Sequence, residues 1–299
     1  MKILVTGSTG LIGSALIPSL LADGHSVVRL VRKISVTPAN EVFWDPRLGT
    51  LNPAMLEGYD AVVHLAGESI AGARWTPENK RRILDSRVQG TRLLVEALLS
   101  LSKPPGVLIS ASAIGFYGNR GAEILREESP PGTGFLPDLC RQWEDAAQPA
   151  SKRGIRVVTP RIGLVLSGQG GALARMLLPF KLGVGGKIGP GNQYLSWIAL
   201  DDLVGSIRHM IQDQDLSGPV NAVSPRAVTN LEFTRALGRT LSRPTLFPLP
   251  AFAARIVLGE MADELLLASA RVEPARLLAT GFQFRFSELE AALRHVLNA

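Results

Sequence analysis

Apolar and polar positions change rhythm along this chain in a regular order. Ile3, Leu4 and Val5 form a short apolar run that meets glycines at positions 7, 10 and 13. Leu16, Ile17, Leu20 and Leu21 then recur at helical spacing, and Gly24 with His25 closes that helix before a second apolar run at 27–31. Further runs at 41–44, 60–66, 107–111 and 155–159 read as strands. Helical stretches lie at about 77–101 and 137–153, the first with Ile83, Val88, Leu94, Val95 and Leu98 on one side. Strands separated by helices imply parallel pairing, because a parallel partner needs a crossover of this length. The runs do not alternate with polar residues, as befits strands covered on both faces.

From about residue 167 the texture changes. Glycines at 168, 170, 171, 183, 185, 186, 189 and 191 surround a helical patch at 173–182. Residues 219–223 resemble a late strand, Thr229 and Glu232 form a capping-box pattern, and helical segments at 262–270 and 287–297 flank a Phe-rich stretch at 281–286. The expected fold is α/β: a Rossmann-type, doubly wound parallel sheet with a smaller C-terminal substrate-side subdomain. The expected division gives 1–166, with 196–222 returning, to the Rossmann part, and 167–195 with 223–299 to the substrate side.

Composition narrows the class. The 299 residues are 46% hydrophobic and 19% charged, a globular balance. No apolar run reaches the ~18 residues that would span a bilayer, so no membrane partner is expected. Met1 leads directly into the first strand, and the expectation is a chain without a leader. The single cysteine, Cys140, excludes an internal disulfide and a cysteine-based zinc cluster, and fits a reducing, cytoplasmic setting. Net charge is +6, but the basic residues are dispersed, the longest clusters being Lys80-Arg81-Arg82 and Arg32-Lys33. No nucleic-acid motif accompanies them. None of the four histidines has metal-ligand spacing, so no metal is expected; His64, inside an apolar strand, reads as a satisfied core histidine.

The order strand, glycine turn, helix carries the chemistry. Glycines remove the Cβ atoms that would block a pyrophosphate, and a helix N-terminus presents free N–H groups to it. NAD-preferring folds usually end the second strand on an acidic residue that bonds the ribose hydroxyls. Here none stands between 27 and 34, whereas Arg29, Arg32 and Lys33 do. A guanidinium pairs with a 2′-phosphate where a carboxylate would repel it, so NADP(H) is the expected cofactor. Arg32 lies just beyond the strand end; Arg29 reads as a solvated strand residue.

Thr6-Gly-Ser-Thr-Gly-Leu-Ile-Gly13, His64-Leu-Ala-Gly67 and the serines Ser110 and Ser112 resemble the extended short-chain dehydrogenase/reductase superfamily. Leu65-Ala-Gly-Glu-Ser-Ile70, Arg74-Trp75, Ser86-Arg87, Trp143-Glu144, residues 177–183, Ser196-Trp197 and residues 281–286 resemble its atypical "epimerase family protein" branch. Those proteins are NAD-dependent epimerase/dehydratase-like and sometimes labelled SulA-related. The resemblance implies that Gly7, Gly10, Leu11, Ile12 and Gly13 hold the pyrophosphate and Arg32 the 2′-phosphate. It places Leu65, Ala66 and Gly67 beside the adenosine ribose, Glu68 at the rim, and Arg87 reaching toward the cofactor. Ser110 and Ser112 would lie near the nicotinamide ribose, and Pro160 and Ile162, after the sixth strand, would pack on the nicotinamide.

Catalytic members carry Tyr-x-x-x-Lys on one helix face, where the ammonium lowers the phenol's pKa. None of Tyr59, Tyr117 and Tyr194 has a lysine four residues on. Aligning Glu144 with the family's downstream Glu puts Leu136 and Cys140 in the Tyr and Lys places. Ser112, Glu68 and Tyr117 are the remaining catalytic candidates. Tyr117 is either a cleft residue or a packing aromatic, Cys140 a reactive thiol beside the cofactor or a core residue, and Glu68 with Arg74 a rim pair or a structural ion pair. Lys181 and Trp197 could meet substrate, or lie on a helix surface and in the core. Two functions stay open. One is an atypical NADP(H)-binding oxidoreductase or epimerase-like enzyme acting on a small molecule, as monomer or homodimer. The other is a non-catalytic, NADPH-responsive regulatory protein.

Overall fold

A computed structural model describes residues 1–34 and 40–298. The chain divides into two compact units. The first comprises Met1–Ser112, Leu139–Pro160 and Val204–Pro219; the second comprises Ala113–Asp138, Arg161–Leu203 and Val220–Ala299. In chain order the strands are β1 (Lys2–Thr6), β2 (Ser26–Val31), β3 (Glu41–Asp45), β4 (Thr50–Leu51), β5 (Ala61–His64), β6 (Val107–Ser110), β7 (Ser112–Ala113) and β8 (Ile124–Leu125). There follow β9 (Arg156–Ile162), β10 (Leu164–Leu166), β11 (Tyr194–Leu195), β12 (Trp197–Ala199), β13 (Gly218–Ala222), β14 (Val228–Thr229) and β15 (Arg271–Val272). The helices are α1 (Leu11–Ala22), α2 (Pro77–Leu99), α3 (Phe135–Ala147), α4 (Gly171–Lys181) and α5 (Leu200–Gln212). The last four are α6 (Asn230–Leu241), α7 (Ala251–Leu258), α8 (Ala275–Ala279) and α9 (Leu289–Leu297).

Among the described residues the main sheet runs β13-β9-β6-β5-β1-β2-β3-β4, with β7 bonded to β9 off that path. The pairs from β3 through β9 are parallel, and β4 runs antiparallel to its neighbour β3. Chain order reverses at β1, which lies between β2 and β5; ligands of such sheets bind at that switch point, beyond the C-terminal strand ends. Register sets Thr6 opposite His64, and His64 opposite Ser110, so three polar residues stand abreast where the strands end.

The first unit's core follows from its apolar runs. Leu4, Val62 and Leu108 are fully buried on adjacent strands, and Leu94 and Leu98 of α2 pack into the same cluster. Thr76 begins α2 by accepting the Asn79 amide at 3.2 Å, and Pro77 takes the first helical position, where its missing N–H costs nothing. In the second unit Trp197, Phe233 and Leu293 are buried together with Leu166 and Leu173. No helix among the described residues is long and apolar enough to cross a membrane.

Besides several short strands that the sequence reading does not contain, the elements depart from it at three helical segments. The helical reading of 262–270 ends at Leu267 as a wide π-type turn, and Arg271–Val272 instead pairs in parallel with β8. Helix α5 was not anticipated, although Leu203, Ile207, Met210 and Ile211 have helical spacing and are buried. Helix α7 was also missed. Its sequence AFAARIVL is apolar at nearly every position and leaves Phe252, Ile256 and Val257 exposed, so no polar face marks a period.

The capping box at α6 formed as the sequence indicated. Glu232 donates its amide to Thr229 Oγ1 at 3.2 Å, and the Thr229 amide donates to Glu232 Oε2 at 2.7 Å. Thr229→Ala is expected to destabilise the second unit by about 1 kcal/mol, read as a lower urea midpoint. An unchanged midpoint would remove the cap from the account of this helix.

Candidate functional site

The turn between β1 and α1 is built by steric exclusion. Gly7 has φ +67°, and a Cβ there would lie 2.7 Å from the Leu65 carbonyl carbon and 2.9 Å from the Ala66 amide nitrogen. A Cβ on Gly13 would sit 2.8 Å from Ser8 Cα. The Gly10 amide closes the turn on the Gly7 carbonyl at 3.0 Å. Gly10 then begins α1 with no capping side chain and no acid in the first turn, so the amides of Leu11, Ile12 and Gly13 have no partner within the helix. Free N–H groups and the positive dipole end therefore point out of the turn.

Behind the turn lies a buried polar chain. Leu65 and Ala66 donate their amides to Thr6 Oγ1, each at 3.1 Å. Thr6 Oγ1 is 2.7 Å from His64 Nδ1, His64 Nε2 is 3.0 Å from Thr91 Oγ1, and Trp143 Nε1 donates to the same Thr91 oxygen at 3.1 Å. His64 is thus a satisfied core histidine. Sequence reading took Thr6 and Trp143 only as parts of the resemblance blocks and did not name Thr91; the available signal was a hydroxyl or indole interrupting otherwise apolar positions.

Arg87 is 8% exposed. Its Nη1 donates to the Ile83 carbonyl at 3.2 Å and Ser86 Oγ at 3.5 Å, and its guanidinium faces the Trp143 ring at 5.0 Å. Nε is buried with no hydrogen-bond partner, as is Ser110 Oγ. Burial pushes the Arg87 pKa down to about 10, against the pull of Cys140 and Glu68, so it remains a cation at neutral pH. Gly67 lies against it, since a Cβ there would be 3.1 Å from Arg87 Cζ. Cys140 is buried within α3. Ser112 Oγ donates to Glu144 Oε1 at 2.6 Å, both residues being buried. Glu144 comes two helical turns after Leu136 and one after Cys140, on the same face of α3.

Other candidates are placed differently. Glu68 pairs with Arg47 and with Arg82 at 3.0 Å, and Arg74 is not its partner. Partial burial raises the Glu68 pKa, but the two arginines outweigh it and hold the carboxyl below its ordinary value. Arg32 is exposed beyond β2. Arg29 is not simply solvated, because Nη2 pairs with the buried Glu41 carboxylate at 2.8 Å. Tyr117 belongs to the second unit and is fully buried. Its hydroxyl oxygen lies 2.7 Å from Asn221 Oδ1 and 3.0 Å from the Arg126 carbonyl, two acceptors for its one proton, and accepts from Arg161 at 2.9 Å. Burial pushes this phenol up to about 12 despite Arg161, so its arrangement is that of a packing aromatic. Pro160 and Ile162 lie within β9, not after it. Lys181 is exposed at the end of α4, whereas Trp197 is core, its Nε1 donating to the Arg226 carbonyl at 3.0 Å. Among the described residues no cluster of His, Cys, Asp or Glu is placed to hold a metal.

A parallel sheet with a glycine turn and an uncapped helix at its switch point defines a Rossmann-type dinucleotide-binding fold. This chain belongs to the NAD dependent epimerase/dehydratase family, whose pattern matches residues 3–223; residues 249–296 match a domain of unknown function, DUF1731. An epimerase family protein of Mycobacterium tuberculosis is 45% identical over 97% of this chain and 95% of its own. The crystal structure of human epimerase family protein SDR39U1 (isoform 2) with NADPH is similar at a TM-score of 0.91 and 36% identity, covering 100% of this chain and 99% of that one. A nucleoside-diphosphate sugar epimerase from Corynebacterium glutamicum gives 0.83 at 40% identity, over 99% of this chain and 58% of its own.

Two outcomes follow from this packing. Gly7→Ala adds a Cβ where backbone already stands and forces a residue with a side chain to positive φ. It is expected to cost more than ~2 kcal/mol, seen in urea melts, and to abolish dinucleotide binding. For His64, burial lowers the pKa from 6.5 to about 4. Between those values the unfolded chain holds the extra proton, so the folded state loses on the order of 3 kcal/mol as pH falls through that window and keeps its full stability above it. Urea midpoints at neutral and acid pH should fall more steeply for wild type than for His64→Gln. Equal slopes would assign the loss to other groups.

Proposed function

We propose that this chain is an NADP(H)-dependent oxidoreductase of the short-chain dehydrogenase/reductase type, acting on a small molecule. The observation that carries this reading is the side-chain-free contact of the Gly7–Gly13 turn with the Leu65–Ala66 backbone, beside donors that lack protein partners. In this reading the amides of Leu11, Ile12 and Gly13 hold the pyrophosphate, Gly7 and Gly10 shape the turn around it, and Leu65, Ala66 and Gly67 flank it. Arg87 Nε and Ser110 Oγ bond the cofactor, and Pro160 packs against its nicotinamide end. Arg32 holds the 2′-phosphate: it is the cation beyond β2 with no acid between 27 and 34 to repel that group, while Arg29 is engaged by Glu41. The NADPH bound in the human relative supports the same choice.

Once bound, the cofactor supplies hydride transfer at its nicotinamide. Ser112 Oγ directs its proton to Glu144, which leaves the oxygen's lone pairs free to accept a proton from a substrate hydroxyl. Passing Ser112's own proton to Glu144 then completes a relay that needs neither tyrosine nor lysine; the reverse transfer serves carbonyl reduction. One observation favours a second reading, a non-catalytic NADPH-responsive protein. Leu136 and Cys140 are buried apolar packing at the positions aligned with the acid/base pair. NADPH oxidation with any member of a carbonyl and nucleotide-sugar panel, lost in Glu144→Gln, supports the enzyme. A partner or conformation that follows the NADPH/NADP ratio without turnover supports the regulator.

Fluorescence titration tests the cofactor. NADPH should bind at least roughly tenfold tighter than NADH, and Arg32→Ala should remove about 1.5–3 kcal/mol of the preference, the range of a charged hydrogen bond. Equal or tighter NADH binding would overturn the assignment.

A further inference from the structure

We infer that His64 is a positioning residue, its imidazole neutral and protonated on Nε2. In that form it holds the Leu65–Ala66 backbone in the geometry that the dinucleotide turn requires. The inference rests on the cofactor reading above and deepens it. A hydroxyl has one proton and two lone pairs. Thr6 Oγ1 receives the amides of Leu65 and Ala66, at 3.1 Å each, which fill both lone pairs. Its proton must therefore go to its third neighbour, His64 Nδ1, at 2.7 Å. Nδ1 is then bare, and in a neutral ring the proton stands on Nε2, aimed at Thr91 Oγ1 3.0 Å away. Trp143 Nε1, which can only donate, takes the second lone pair of Thr91 at 3.1 Å.

Every bond in this chain has one direction. The opposite tautomer would set two protons between Thr6 and His64, because the Thr6 hydroxyl has no lone pair left to accept from Nδ1. Thr6, His64 and Thr91 are fully buried, so no solvent can repair a broken link. The Trp44 ring closes the space edge-on, 5.9 Å from the imidazole. Burial also keeps the ring neutral at physiological pH.

The consequence reaches the turn through contact of the two backbones. A Cβ on Gly7 would stand 2.7 Å from the Leu65 carbonyl carbon, so displacing Leu65 displaces Gly7. Thr91 lies on α2 and Trp143 on α3. The imidazole thereby ties both helices to the segment that faces the pyrophosphate, without touching the cofactor itself.

Two measurements test this. In 15N NMR of the labelled protein at pH 7, with the His64 signals assigned by their loss in His64→Gln, Nδ1 should resonate as an unprotonated, pyridine-type nitrogen and Nε2 as a protonated, pyrrole-type one. The reverse pattern overturns the inference. In NADPH titrations, Thr6→Val should weaken binding by roughly tenfold or more, because two buried amides and Nδ1 lose their partner. Thr6→Ser should stay within about twofold of wild type. His64→Gln, whose amide can accept from Thr6 and donate to Thr91, should recover most of the affinity that His64→Leu loses. A folded Thr6→Val with wild-type affinity and only a lowered thermal midpoint overturns the positioning role and leaves the cofactor reading intact. If Thr6→Val does not fold, the His64→Gln and His64→Leu pair decides. Wild-type protein that binds no NADPH overturns the cofactor reading and the positioning role together, while the NMR spectrum still reads the direction of the chain.

Discussion

Where β1 and β5 leave the sheet, two stretches of backbone pass so close that no side chain fits between them. Gly7, at φ +67°, lies against the Leu65 carbonyl, and Gly13 folds back on Ser8. The contact ties the loop after one strand to the loop after its neighbour, and both to the start of α1. It also removes the Cβ atoms that would shield the helix N-terminus, so the same constraint that shapes the turn exposes its amides. Parallel register makes the arrangement possible by setting Thr6 opposite His64 and His64 opposite Ser110.

Around that contact most charged groups are matched, and the unmatched ones are informative. Arg29 is held by Glu41, and Arg47 and Arg82 by Glu68, which removes these residues from simple roles as free cations or acid. Arg87, in the interior, is one group that is not fully matched. It is a buried guanidinium whose bonds go to a carbonyl and a hydroxyl, with Nε left over. A buried cation without a carboxylate partner is costly unless an anion arrives, and a dinucleotide supplies one. Just past β6, the Ser112 hydroxyl is directed at the buried Glu144 carboxylate.

Much of this could be read along the chain. The strand–helix alternation, the glycine turn, the capping box at Thr229 and the lack of a Tyr-x-x-x-Lys pair are all local or periodic features. Elements were missed, and alternatives stayed open, where local pattern was silent. Helix α7 carries apolar residues on its exposed side, and the isolated Tyr117 could not reveal that Asn221 and Arg161 enclose it.

The sequence by itself determined the fold class and the place of the phosphate-binding turn, because both depend on residue types within a few positions of one another. It also determined what is missing, since an absent tyrosine or lysine needs no coordinates. Only the tertiary structure decided which polar groups meet. Thr6 finds His64 across 58 positions, His64 finds Thr91 across 27, and Trp143 reaches Thr91 across 52. Such partners are chosen by sheet register and by the packing of α2 and α3, and neither leaves a periodic trace in the chain. The glycines announced a place for a dinucleotide; the buried hydrogen bonds behind them are legible only in the folded chain.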